Sequence, residues 1–219
     1  MATLYHYVHC PFCIRVRMAL GYLGIKYQSV VLPYDDEETP LSLTGVKMLP
    51  IYKCDESLVM NESLDIIKKL DANNKLDNEQ SVDQGLDEQL NRLGSHIHSL
   101  CMPYWIYTPE FNESSRNYFQ KKKEIKRGPF YKLAQNKKAF IEKLQEELKE
   151  VEQKLTPYYE SEKFTIKDIM LASHLWGMYI FPEFQFSEKI HQYLQDIKKM
   201  CNFDYHEDFW RTDVPLSSQ

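Results

Sequence analysis

Cys10-Pro11-Phe12-Cys13, preceded by Leu4-Tyr5-His6-Tyr7-Val8 and followed by Ile14 to Leu23, is the stretch that decides how this chain folds. The first run alternates apolar and polar residues and reads as a strand; the last reads as a helix. Two thiols therefore sit at a strand-to-helix junction. The first lies beside the unpaired N–H groups of the new helix, whose partial positive charge favours a thiolate. Pro11 suits a first helical turn, where its missing N–H costs little. A thiolate beside a second thiol can attack a disulfide, and the second thiol can resolve the product. Half of a zinc site is the competing reading of two cysteines at this spacing. It needs two further ligands. There is no second Cys-x-x-Cys, and His6 and His9 would crowd four ligands into eight residues. Redox chemistry without a metal is the expectation.

The composition narrows the class. A length of 219 residues suits one large or two small domains. A net charge of −5 argues against a general nucleic-acid binder. Five cysteines, Cys10, Cys13, Cys54, Cys101 and Cys201, are too few for a disulfide scaffold in a chain this long. No basic, then apolar, leader opens the sequence, and no apolar run approaches the roughly 20 residues of a membrane span. A cytoplasmic protein of a reducing compartment, with no membrane partner, is expected.

Outward from the cysteines, strand and helix patterns alternate. Tyr27 to Leu32 reads as a strand and Thr39 to Leu43 as a short helix. Pro50 to Lys53 and Leu58 to Met60 read as a hairpin, and Ser63 to Leu70 as a helix. This order predicts a parallel strand pair with an antiparallel hairpin appended. Residues 1–72 form one expected domain and the polar stretch 73–80 a linker. Residues 81–219 are expected to be all helical. Leu86, Leu90, Leu93 and Ile97 mark the stripe of a helix over Val82 to Leu100. Further helices are expected over Ser114 to Arg127, Leu133 to Leu155, Ile169 to Ile180 and Ser187 to Asn202. Thr165 to Asp168 has the pattern of a capping box. Lys143/Glu147 and Glu150/Lys154 are expected to pair along the third helix. Lys121-Lys122-Lys123 reads as a solvated helix face.

A disulfide reductase must also hold its substrate against the thiolate. Leu49-Pro50, at the start of a strand, could present a backbone edge to an extended disulfide. By base rates the bond is an ordinary trans one, with cis accessible. Glu62-Ser63 opens a helix. Ser63 can cap it, or its free N–H groups can bind a carboxylate. Arg15, Arg17 and Lys47 read as surface charges, His9 as a solvated loop histidine, and Cys54, Cys101 and Cys201 as structural thiols.

The strand-CPFC-helix opening, Leu49-Pro50-Ile51 and Asn61-Glu62-Ser63 resemble a glutaredoxin. The acidic stretch Asp35 to Pro40, the added helical half and the length are most similar to the bacterial glutaredoxin 2 type. That resemblance implies a thioredoxin-like α/β domain joined to an all-α domain of the glutathione S-transferase architecture. It implies glutathione as co-substrate, no metal, and reduction of protein disulfides and glutathione mixed disulfides by a monomer. Cys10 would be the nucleophile and Cys13 the resolving thiol. Phe12 stands where tyrosine is frequent in the family. Leu49, before a cis Pro50, would pair its backbone with the cysteinyl part of glutathione. Glu62 and Ser63 would hold the γ-glutamyl end, and Arg15 or Lys47 could meet the glycyl carboxylate. The alternative is a cysteine-type glutathione transferase, which has no need of Cys13.

Overall fold

The computed structural model describes residues 1–55, 58–78 and 84–204. Strands β1 (Ala2–His6), β2 (Tyr27–Val31), β3 (Ile51–Lys53) and β4 (Val59–Met60) form a four-stranded sheet in the order β2-β1-β3-β4. β1 and β2 are parallel, while β3 runs antiparallel to both β1 and β4. Helix α1 (Pro11–Tyr22) makes the crossover, α2 (Glu38–Thr44) leads to β3, and α3 (Ser63–Leu70) follows the hairpin. Side chains alternate across β1. Leu4 enters the larger core, and Tyr5 packs on the opposite face with Cys13, Leu32, Leu49 and Ile51.

Two expected boundaries move at the start of the chain. The first strand ends at His6 rather than Val8, because the Tyr7 N–H leaves the ladder and donates to Cys13 Sγ at 3.4 Å. The first helix begins at Pro11, with Cys10 at the N-cap.

The second half is helical: α4 (Gln84–Trp105), α5 (Glu113–Arg127), α6 (Phe130–Gln135), α7 (Lys137–Lys154), α8 (Ile166–Leu175), a 3-10 turn at Trp176–Ile180, and α9 (Glu188–Met200). Leu86, Leu90, Leu93 and Ile97 form the buried stripe of α4, which continues past its expected end to Trp105. The expected start at Val82 lies outside the described residues. The single helix expected over Leu133 to Leu155 is two helices, broken at Asn136 (φ −92°, ψ 11°). Phe130 and Leu133 are already buried on α6, so its core face is set before that of α7 begins. The expected pairing along α7 is corrected too. Glu147 accepts from Arg92 Nε of α4 at 2.7 Å, and Lys154 reaches Glu160 at 3.2 Å.

The capping box forms. Thr165 Oγ1 accepts from Lys167 N, and Asp168 Oδ2 accepts from Thr165 N at 2.8 Å. Asp168 is fully buried and also accepts from Tyr159 N and Tyr193 OH. Burial holds its carboxyl above the usual range despite these donors. The two halves share one apolar core, in which α1 meets α8 and α9. A Cβ on Gly21 of α1 would lie 1.7 Å from the Cys201 carbonyl oxygen, so only glycine permits that approach. Between the halves, the Asp71 carboxylate accepts from Lys75 N, Leu76 N and Asn78 Nδ2. Leu76 is fully buried, and its carbonyl accepts from Ile166 N at 2.7 Å. Among the described residues, no helix is long and apolar enough to cross a membrane.

Candidate active site

Cys10 is half-buried at the N-cap of α1, in extended conformation, with no side-chain capping bond of its own. Its sulfur therefore has the free amides of the first helical turn in front of it. Cys13, one turn further in, is fully buried. The thiol of Cys10 is lowered to about 7, chiefly by a hydrogen bond from the Cys13 side chain. The backbone N–H groups of Cys13 and Phe12 and the charge of Lys123 add to this against the cost of burial. Cys13 is raised well above the ordinary thiol value, first by burial and then by the same bond to Cys10. The pair is thus polarised into an attacking anion and a proton-bearing partner.

Two cavities flank the dithiol, and Phe12 lines both. The first, of about 410 Å3, is lined by Arg15, Glu62 and Ser63 together with Asp87 of α4 and His174 of α8. Here the structure corrects two expectations. Ser63 is not the cap of α3 but its first residue, and the exposed Glu62 at the cap position makes no side-chain capping bond. Arg15 is not a surface charge: it is 4% exposed, its Nη1 donates to Ser63 Oγ at 3.4 Å, and its guanidinium lies 5.0 Å from the Phe12 ring centroid. Arg15 also stands beside Ser63, the first residue of α3. Its Nε is a buried donor with no partner among the described residues, the kind of orphan that a carboxylate satisfies.

The second cavity, of about 360 Å3, holds Cys10 against Tyr7, Leu49, Met48, Trp105 and a wall from α5. Leu49-Pro50 is cis. Lys47 donates to the Tyr34 carbonyl, to Tyr118 OH at 2.6 Å and to Glu37 at 3.2 Å. Tyr118 OH itself donates to Glu37. The lysine run on α5 is not a uniformly solvated face, since Lys123 is half-buried and lines this cavity with Lys122.

His9 is the second residue that its sequence context misrepresented. It is 2% exposed, bonds Thr108 Oγ1 at 2.8 Å and stacks on Trp105 with ring centroids 5.1 Å apart. Glu110 lies 3.7 Å from the ring. The loop carrying Cys10 is thereby fastened to the end of α4. No local pattern could reveal this, because the partners lie about a hundred residues away. His6 bonds Ser29 of β2, and burial lowers it to about 4. Cys101 and Cys201 are buried as expected of packed thiols, whereas Cys54 is exposed at the hairpin turn.

A thioredoxin-like α/β unit on a helical bundle, with a polarised dithiol at the start of its first helix, defines a thiol–disulfide oxidoreductase of the glutathione transferase architecture. Residues 4–78 match the family profile "Glutathione S-transferase, N-terminal domain", and residues 85–208 match "Glutaredoxin 2, C terminal domain". The chain belongs to the glutaredoxin 2 family, and it is a glutathione-dependent disulfide oxidoreductase. It is 29% identical to glutaredoxin 2 of Escherichia coli K12 over 208 residues, 92% of this chain and 96% of that protein. Its structure is similar to that of glutaredoxin 2 from Salmonella typhimurium, solved in complex with glutathione. There the TM-score is 0.84 at 27% identity, covering 93% of this chain and 96% of that one. A glutathione transferase from Phanerochaete chrysosporium shares the fold, with a TM-score of 0.74 at 16% identity over 93% of this chain and 98% of that one.

Proposed function

We propose that Cys10 is the nucleophile and Cys13 the resolving thiol in reduction of glutathione mixed disulfides and protein disulfides in the cytoplasm by a monomer. The observation that carries this reading is the asymmetry of the pair. Cys10 opens to a cavity at a helix N-terminus, and Cys13 is sealed one turn behind it. Cys10 thiolate attacks the glutathione sulfur, a Cys10–glutathione disulfide forms, and the substrate leaves as a thiolate. A second glutathione thiolate then attacks that disulfide, releasing oxidised glutathione and the Cys10 thiolate. With a protein disulfide, Cys13 resolves instead, and an intramolecular disulfide forms as the second substrate thiol departs.

Glutathione would lie across Phe12. Its γ-glutamyl carboxylate meets the α3 N-terminus, Ser63 and the unsatisfied Arg15 donor, and its ammonium meets Glu62. Its cysteinyl backbone would follow Leu49 and Pro50. Arg15 serves the γ-glutamyl end in this arrangement, which leaves Lys47 on the opposite side of Cys10. The division into residues 1–72, a connecting stretch 73–80 and residues 81–219 is part of the same proposal. A coupled assay with glutathione reductase and a glutathionylated peptide tests it. Cys10→Ser should abolish turnover, and Cys13→Ser should retain much of it. Equal loss in both variants overturns the assignment, because a monothiol route needs only the attacking sulfur.

A further inference from the structure

The cavity that holds Cys10 has a rim that disulfide exchange does not itself require. Lys47, Lys122 and Lys123 all line it, and no carboxylate does among the described residues. Glu37, outside the lining, is shared between Lys47 at 3.2 Å and Lys122 at 3.6 Å. One carboxylate therefore offsets two ammonium groups. The Lys123 ammonium lies over the Phe119 ring at 5.4 Å; burial, with the charges of Arg127, Lys126 and Lys122, lowers its pKa, while Cys10 opposes that shift. The wall is cationic on a chain whose net charge is −5, so it is a local feature and not a consequence of overall composition.

Its position relative to Phe12 gives it a role. With the γ-glutamyl end of glutathione at Glu62–Ser63 and its cysteinyl part along Leu49, as proposed above, the other half of a mixed disulfide lies in the same cavity as Cys10, against the α5 wall that carries Lys122 and Lys123. We propose that this cavity selects protein disulfides whose cysteine is flanked by aspartate or glutamate. Lys122 meets a flanking carboxylate at the mouth, where Val46 and Met48 are exposed apolar neighbours, and Lys47, held by Tyr34, Tyr118 and Glu37, adds its charge behind it. Lys123, deeper in, faces the departing sulfur. As the Cys10 thiolate bonds to the glutathione sulfur, the substrate S–S bond breaks. The electron pair leaves on the protein cysteine as a thiolate beside the Lys123 ammonium, and that thiolate takes a proton from water after release. No further oxidant or reductant is involved.

The test uses three glutathionylated peptides, identical except for Glu, Gln or Lys on both sides of the cysteine. Turnover is coupled to glutathione reductase at low and high salt. The Glu peptide should exceed the Lys peptide in kcat/KM by at least about fivefold at low ionic strength. The ratio should shrink towards one near ~1 M salt, where screening acts within about 3 Å. Lys122→Glu should collapse or invert the ratio. Equal kcat/KM for all three peptides, with turnover present, overturns the substrate selection and leaves the Cys10 chemistry standing. A preference that ignores salt and survives Lys122→Glu also overturns it. Absence of turnover with every peptide instead overturns the reading on which the inference rests.

Discussion

Replacing Cys13 by alanine removes the hydrogen bond that contributes most to the low thiol value of Cys10. A hydrogen bond to a charged group is worth about 1.5–3 kcal/mol. At about 1.4 kcal/mol per unit, the Cys10 value should rise from about 7 by about 1–2 units. At pH 7 the ionised fraction then falls from about one half to between about one tenth and one hundredth. The remaining thiolate is a better nucleophile, by about 0.4–0.5 log units per unit of basicity, so the net loss in attack rate is only about two- to eightfold. Cys13→Ser keeps an O–H donor and should shift the midpoint less. The assay is alkylation by iodoacetamide across pH, read by mass spectrometry on the peptide carrying residue 10, because Cys54 is exposed and would confuse a bulk thiol count. A midpoint that stays near 7 in Cys13→Ala refutes the hydrogen-bond reasoning and leaves the helix amides and Lys123 to hold the anion. Stability shares this linkage. The folded Cys10 value lies below the unfolded one, so ionised Cys10 adds stability that is complete above about pH 9. That contribution is lost as pH falls through about 7.

Three further outcomes follow from the packing around the dithiol. Glu62→Gln should raise the glutathione concentration needed by about tenfold to a hundredfold. Its melting temperature should stay close to the parent's, because Glu62 is exposed and makes no capping bond; falling stability with unchanged glutathione kinetics would make it structural. His9→Ala should cost about 2–4 kcal/mol in urea unfolding, from a lost buried hydrogen bond and ring stack. His9→Phe, which keeps the stack, should cost nearer 1 kcal/mol. Asp168→Ala strands the donors of Thr165, Tyr159 and Tyr193 and should cost at least about 3 kcal/mol of unfolding free energy by calorimetry.

The features legible in the sequence were those set by near neighbours. Cys10 to Cys13, the Tyr27 strand, the hairpin, the α3 start and the Thr165 box each depend on residues within a turn or two of one another. Cis Leu49-Pro50 could not be read from local chemistry, since base rates favour trans and only the family resemblance pointed the other way. The break at Asn136 was hidden because the apolar residues of α6 and α7 blend into one helical period. Arg15 and His9 were misjudged for a different reason. Residue type sets a prior for exposure, and each is overruled by partners brought from far away: Ser63 and Asp87 around Arg15, Thr108 and Trp105 around His9. Lys123 belongs with them, because its neighbour Lys121 is exposed while it turns into the cavity.

The most direct test of the central claim is to trap the intermediate. Cys13→Ser, incubated with a glutathionylated peptide and no free glutathione, should accumulate one glutathione adduct on the peptide carrying residue 10. The adduct should be released by added glutathione, while Cys10→Ser should form none. An adduct on Cys54, Cys101 or Cys201 in place of Cys10, or none on residue 10 while the peptide is still reduced, would contradict the account.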